Sequence, residues 1–276
     1  MSGILYLVGT PIGNLGDFSP RARETLELAD FIAAEDTRVS MKLLNHFGIK
    51  KPMVSYYEHN RAGSGERILA RLLAGERCAL VTDAGMPAIS DPGEDLVRLC
   101  AENGVPVEVI PGPSAVISAV ALSALSTQRF CFEGFLSTNR RSRIEHLDSL
   151  RSERRTMVFY EAPHKLLRTL EDLIEYFGPD RPMTICRELT KLHEETLHTT
   201  AAQALAHFTY IPPKGEFVLV VQGAPEEPKA EMTLEQALDL VRQYRSGGDS
   251  LKSACKKASA DSGFSKNELY DKVIGK

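Results

Sequence analysis

The sequence predicts an α/β protein: two consecutive αβα domains with a ligand cleft between them, then a small helical unit at the C-terminal end. Three observations predict it. Short apolar runs ending in Gly or Asp alternate with amphipathic helical stretches from residue 4 onward, which implies a mainly parallel sheet covered on both faces. The alternation breaks near 125–129 and then restarts. Beyond the Ala224-Pro225-Glu226-Glu227-Pro228 segment only helical periodicity remains. The expected domains are therefore 1–125, 126–224 and 229–276.

In the first domain, residues 4–9 (Ile-Leu-Tyr-Leu-Val-Gly) read as a fully buried strand closed by glycine. A helix is expected over 20–29, because Pro20 suits a first helical turn and Leu26 and Ala29 lie on one side. Phe31-Ile32-Ala33-Ala34 is the second strand, running into Glu35-Asp36-Thr37-Arg38, and Gly48 stops the helix expected near 38–46. Strands over 53–57, 77–82 and 105–110 follow, interleaved with helices over 63–74 and from Pro92 to Gly104. The last strand leads through Pro111-Gly112-Pro113-Ser114 into a helix of small residues that reaches Leu125.

The second domain repeats the pattern. Strands are expected over 130–135, 156–161, 183–188 and 216–222, with a hairpin arm at 194–199 and helices over 140–151, 163–177 and 200–208. In the tail, Leu234, Ala237, Leu238 and Val241 recur at helical spacing, and Gly247-Gly248 breaks the helix before two short ones. Ser265 and Glu268 stand at capping-box spacing at the start of the last.

Composition excludes several classes. The 276 residues are 43% hydrophobic and 25% charged, which rules out a disordered or fibrous chain. No window holds the ~20 continuous apolar residues of a membrane span. Arg21-Ala22-Arg23-Glu24 interrupts the N-terminal region too early for a signal peptide, so a cytoplasmic protein without membrane partners is expected. The five cysteines are scattered and lack Cys-x-x-Cys, which reads as free buried thiols in a reducing compartment. The seven histidines show no ligand spacing, so no protein-held metal is expected. The net charge of −4 is uneven: 229–276 holds nine Lys/Arg against seven Asp/Glu, leaving −6 on the preceding 228 residues. The tail is a small basic unit on an acidic body.

The unusual residues fall at strand ends, where ligands bind in open α/β sheets. The loop after the first strand, Gly9-Thr10-Pro11-Ile12-Gly13-Asn14-Leu15-Gly16-Asp17, carries glycines at 9, 13 and 16, so it is neither Gly-x-Gly-x-x-Gly nor Walker A. It is stiff at one point and permissive at others, which suits close backbone approach to a ligand. Further polar or Gly/Pro-rich ends follow at 82–93, 111–115, 160–164, 187–191 and 214–217. So many exceed what turns require; an elongated ligand held between two domains mainly by backbone groups accounts for them.

The strings GTPIGNLGD, EDTR, TDAGMPAISDPG, PGPSA, YEAPH, RELTK and KGEF, in this order and over almost the whole chain, resemble the bacterial 16S rRNA ribose 2′-O-methyltransferase I family. That family is a branch of the tetrapyrrole-methylase-like (class III) S-adenosylmethionine enzymes. The resemblance implies two α/β domains with S-adenosylmethionine in the cleft between them, a homodimer, and 2′-O-methylation of cytidine 1402 in 16S rRNA. By position it implies cofactor contacts at Asp83, Gly85, Met86 and Ile89, at Ser114, Ala115 and Val116, and at Glu161, Ala162, Leu189, Glu216, Phe217 and Val218. Pro11 matches the first-loop proline that faces the reacting methyl. Met86 stands where the superfamily usually carries an acid, so a ribose or amino contact there falls to backbone or to Asp83.

A ribose hydroxyl is a poor nucleophile and needs a general base or a cation that stabilises the developing alkoxide. Asp36, His59 and Glu188 are the catalytic candidates, among cleft-side polar residues that also include Arg38, Glu58, Asp83 and His164; no residue pattern selects one. RNA contacts are expected from Arg38, from Arg140, Arg141 and Arg143 in a run that continues through Arg151, Arg154 and Arg155, and from Lys252 and Lys256, four apart on one helix face. The alternative for the tail is a dimer-packing appendage. The alternative for the whole chain is a methyltransferase of the same fold acting on a tetrapyrrole or another small molecule.

Overall fold

The computed structural model describes residues 3–57, 61–225 and 232–275, with 61 and 62 described by backbone alone. Glu58 and His59 lie outside the described residues. The chain forms two compact units, Met1–Ala224 and Pro225–Lys276. Among the described residues no helix is long and apolar enough to cross a membrane.

The first unit contains two five-stranded sheets. In the first, β1 (Ile4–Val8), β2 (Phe31–Ala34), β3 (Met53–Ser55), β4 (Arg77–Val81) and β5 (Val107–Ile110) lie in the order β3-β2-β4-β1-β5. Every pairing is parallel, as helical crossovers between successive strands require. The helices are α1 (Pro20–Leu28), α2 (Thr37–His46), α3 (Arg61–Leu73) and α4 (Glu94–Glu102), and α5 (Ala115–Leu122) follows β5. Strand side chains alternate between two cores: Ile32 and Ala34 of β2 pack with Leu26 and Leu44, and Phe31 and Ala33 pack with Ile68, Leu72 and Leu96. Both faces are thus covered.

The second sheet departs from the parallel expectation. It comprises β6 (Phe130–Phe135), β7 (Thr156–Glu161), β8 (Pro182–Arg187), β9 (Glu195–Thr200) and β10 (Phe217–Val221), in the order β6-β7-β10-β8-β9. Only β6 and β7 pair in parallel. A short loop returns β9 antiparallel to β8, and β10 enters between β7 and β8 antiparallel to both. The start of β10 therefore lies beside the ends of its neighbours: Phe217 pairs with Glu161 on one side and Arg187 on the other. This reversal brings the Gly215-Glu216 segment to the same edge as the ends of β7 and β8.

Three helices, α6 (Arg140–Ser149), α7 (Leu166–Phe177) and α8 (Ala201–Tyr210), cover one face of this sheet, with Phe159, Leu170, Leu173, Phe208 and Leu219 in the shared core. The other face is covered by α5, whose Val116, Ala119 and Val120 pack on Val158, Cys186, Val218 and Val220. The helix expected over 163–177 opens as a 3₁₀ turn at Pro163–Lys165 before α7 begins at Leu166. The helix expected over 140–151 stops at Ser149, so Arg151, Arg154 and Arg155 lie beyond α6.

The second unit holds α9 (Leu234–Ser246), α10 (Leu251–Ser262) and α11 (Lys266–Val273) around Ala237, Val241, Ala254, Cys255, Ala258 and Leu269. Its helix starts are capped by side chains. Thr233 and Gln236 form a complete capping box, Ser250 caps α10, and the Ser265 hydroxyl accepts from Glu268 N.

Candidate functional site

The first-sheet loops are tied together by backbone. Thr10 N donates to Gly85 O at 2.9 Å and Gly85 N returns a bond to Thr10 O at 3.2 Å. Gly9 and Gly112 touch main chain to main chain: a Cβ on Gly9 would stand 2.6 Å from the Gly112 Cα, closer than real atoms approach. Only paired glycines let the ends of β1 and β5 converge so tightly.

These loops and the edge of the second sheet enclose a cavity of about 420 Å³. That is within the range of small-molecule and cofactor sites. The first half of the chain contributes Ile12, Glu35, the 83–86 segment, the 89–91 segment, Ser114 and Ala115. The second half contributes Phe135, the 160–163 segment, Cys186, Leu189 and the 216–218 segment. Backbone strain gathers at its rim. Ala88 and Ser90 after β4, and Glu188 and Thr190 after β8, are non-glycine residues with φ of 67°, 62°, 52° and 66°. Each such conformation costs on the order of 1–3 kcal/mol and persists only where the surroundings impose it.

Charge inside the cavity is one-signed. Burial raises the pKa of Glu35 above the usual carboxylate range, and the nearby Asp83 charge adds to it. Asp83 is raised by its own burial while its Oδ1 accepts from Asp36 N at 3.2 Å. Asp91 moves furthest, pushed up to about 7 by burial and then by the charges of Glu35 and Asp83. Among the described residues, no group of three His, Cys, Asp or Glu is disposed to hold a metal ion. Apolar side chains also line it, among them Ile12, Met86, Leu189, Phe217 and Val218.

Of the expected cofactor contacts, Asp83, Gly85, Met86, Ile89, Ser114, Ala115, Glu161, Ala162, Leu189, Glu216, Phe217 and Val218 line this cavity. Pro11 sits in the loop beside Ile12 without lining it, and Val116 turns into the core beneath α5. Gly85 has φ of 84°, and a Cβ there would meet Ile12 and the Pro113 carbonyl. Glu35, Asp91, Phe135 and Tyr160 were missed. The motif strings held Glu35, Asp91 and Tyr160 without showing which neighbour faces inward, and Phe135 stands outside them.

Of the catalytic candidates, Asp36 and Glu188 are engaged elsewhere. Asp36 caps α2 through Arg38 N at 2.8 Å and pairs with the Arg38 side chain, which holds its carboxyl down at about 2. Burial pushes the Glu188 carboxyl up, but Lys191 Nζ at 2.8 Å and Glu216 N at 2.9 Å outweigh it and leave its pKa below the ordinary value. Lys191 also reaches Glu216 at 2.9 Å. Neither Asp36 nor Glu188 lines the cavity, and His164 is exposed on the 3₁₀ turn.

The basic run divides. Arg140 and Arg141 are exposed, Arg141 in an ion pair with Glu145. Arg143 is a correction to the expected RNA surface: it is 4% exposed, on the inward stripe of α6 with Leu147 and Leu150, and is bonded to Asp172 and Thr169. Arg38 is exposed at the start of α2, and Lys252 and Lys256 are exposed on α10.

Comparison with known proteins agrees with this architecture. The family described as Tetrapyrrole (Corrin/Porphyrin) Methylases matches residues 4–205. The chain is 49% identical over 268 residues to a "Ribosomal RNA small subunit methyltransferase I" from Synechocystis sp., covering 97% of this chain and 96% of that one. It is 42% identical to the protein of the same description from Bacillus subtilis, over 98% of this chain and 93% of that one. Solved structures share the fold. A diphthine synthase superposes with a TM-score of 0.64 at 18% identity, over 80% of this chain and 90% of that one. The uroporphyrin-III-C-methyltransferase of Thermus thermophilus superposes at 0.55 and 20% identity, over 79% and 94%. The chain belongs to the ribosomal RNA small subunit methyltransferase I family, within the tetrapyrrole methylases.

Proposed function

We propose that this protein transfers a methyl group from S-adenosylmethionine to a ribose 2′-hydroxyl of 16S rRNA in the small ribosomal subunit, at cytidine 1402, as a cytoplasmic homodimer. The observation that carries this reading is the cavity on which the family strings converge from both sheets. The residues present fit the donor. An apolar wall suits its adenine and thioether-like stem, the three carboxylates Glu35, Asp83 and Asp91 suit a cationic ligand, and the close-packed loops supply backbone donors and acceptors. When bound, S-adenosylmethionine supplies an electrophilic sulfonium methyl, so the protein's work is alignment and exclusion of water. Ile12, from the first-sheet loop, and Leu189, from the end of β8, line the cavity from opposite halves of the chain and would exclude water from a bound donor.

The rRNA side rests on the names of the relatives and on exposed Arg140, Arg141, Lys252 and Lys256. A small-molecule acceptor is the second reading; it predicts substrate binding insensitive to salt, whereas phosphate contacts make RNA affinity fall steeply. The deciding experiment is transfer of tritium from labelled cofactor to small ribosomal subunits, with nuclease mapping. One labelled nucleotide resistant to alkaline cleavage is expected. Label on a base, or none on RNA, overturns the reading.

A further inference from the structure

A chain of buried polar groups runs from α6 and α7 to the cavity floor. Glu161, at the end of β7, lines the cavity yet is only 3% exposed. One of its oxygens accepts from Ala162 N at 2.8 Å, and the other accepts from the Thr169 hydroxyl at 2.5 Å. Thr169 is fully buried and its oxygen accepts from Arg143 Nη2 at 2.8 Å. Arg143 Nε is bonded in turn to Asp172 at 2.5 Å.

The directions of these bonds are forced. A hydroxyl has one proton, and here it goes to the carboxylate; the guanidinium, which can only donate, occupies a lone pair of the same oxygen. Thr169 cannot turn away without leaving Arg143 unpaired in the core. Each Glu161 oxygen has accepted one protein donor and retains a further lone pair, on the one side chain of the chain that lines the cavity. An apolar residue at 143 would complete the stripe of Leu147 and Leu150, and replacing a largely buried ion pair by apolar residues is often neutral or stabilising. Folding alone does not call for this arrangement.

We infer that Arg143 and Thr169, neither of which lines the cavity, are positioning residues that set donor affinity by holding the Glu161 carboxylate as a fixed acceptor for a hydroxyl or amino group of the bound nucleoside. This rests on the reading of the cavity as the S-adenosylmethionine site. The test is calorimetric titration of the full chain with S-adenosylmethionine, alongside filter binding of 16S rRNA. Thr169→Val removes the hydroxyl at constant volume and is expected to weaken donor binding on the order of 10-fold or more, since a hydrogen bond to a charged group is lost. Thr169→Ser should restore it, and RNA affinity should stay unchanged in both. Wild-type affinity in Thr169→Val, or an equal loss in Thr169→Ser, overturns the inference. If Thr169→Val does not fold, Arg143→Lys against Thr169→Ser decides: the lysine lacks the second donor arm and should weaken donor binding, and equal affinities overturn the inference. Absence of donor binding by the wild-type chain would instead sink the reading of the cavity.

Discussion

Asp91 shows how a single carboxyl reports on the cavity. Its native pKa of about 7 lies above the ordinary 3.8, so between these values the native chain holds a proton that the unfolded chain has released. Stability from this group is therefore present at low pH and falls as pH rises through about 4 to 7. Asp91→Asn should flatten that part of the urea-denaturation profile. A cationic ligand favours the charged carboxyl, so S-adenosylmethionine affinity should rise with pH toward 7 in the wild type and less in Asp91→Asn, as calorimetry across pH can show. Glycines give a second contrast. In Gly112→Ala the new Cβ would meet Gly9 Cα at 2.8 Å, main chain that cannot yield, and a loss of about 1–3 kcal/mol with weakened donor binding is expected. Gly63→Ala, in α3 with nothing within 4 Å, should stabilise by roughly 0.5–1 kcal/mol in the same denaturation assay. Arg143 shows the limit of reading residues singly. Its place in an arginine run suggested a surface, but its partner Asp172 lies 29 positions away on another helix.

Elements were legible where period and punctuation agreed. β2, β4, β7 and β10 stand close to where the apolar runs placed them, and their alternating faces follow from a period of two. Strand direction was not legible, because an apolar run reads the same up or down; β10 is antiparallel to both its neighbours. The basic face of α10 carries an element-scale prediction. Lys252→Glu with Lys256→Glu should lower rRNA affinity and shrink its salt dependence, with donor affinity unchanged. A change in oligomeric mass with RNA affinity intact would favour the dimer-packing role.

At the scale of the molecule, α5 crosses the division drawn at residue 125. It follows β5 in the chain but packs on the second sheet, over Val158, Cys186, Val218 and Val220. A fragment 126–224 would bare that face. It should bind a hydrophobic dye and unfold without a cooperative transition, whereas a fragment beginning at residue 111 should bind less dye. Equal behaviour would show that α5 is dispensable to the second sheet. The cavity depends on the same crossing, since Ser114 and Ala115 at the start of α5 meet Glu161 and Val218 from the second sheet across it.

By itself the sequence determined the strands and helices, their segregation into two α/β repeats and a helical tail, and the loop strings that mark the family, because local period, turn residues and caps act over a few positions. Only the tertiary structure decided the mixed order of the second sheet, the allegiance of α5, the burial of Arg143 and the inward turn of Glu35 and Asp91. Each of these depends on contact between segments far apart in the chain, and the energy of such contacts is written in neither partner alone.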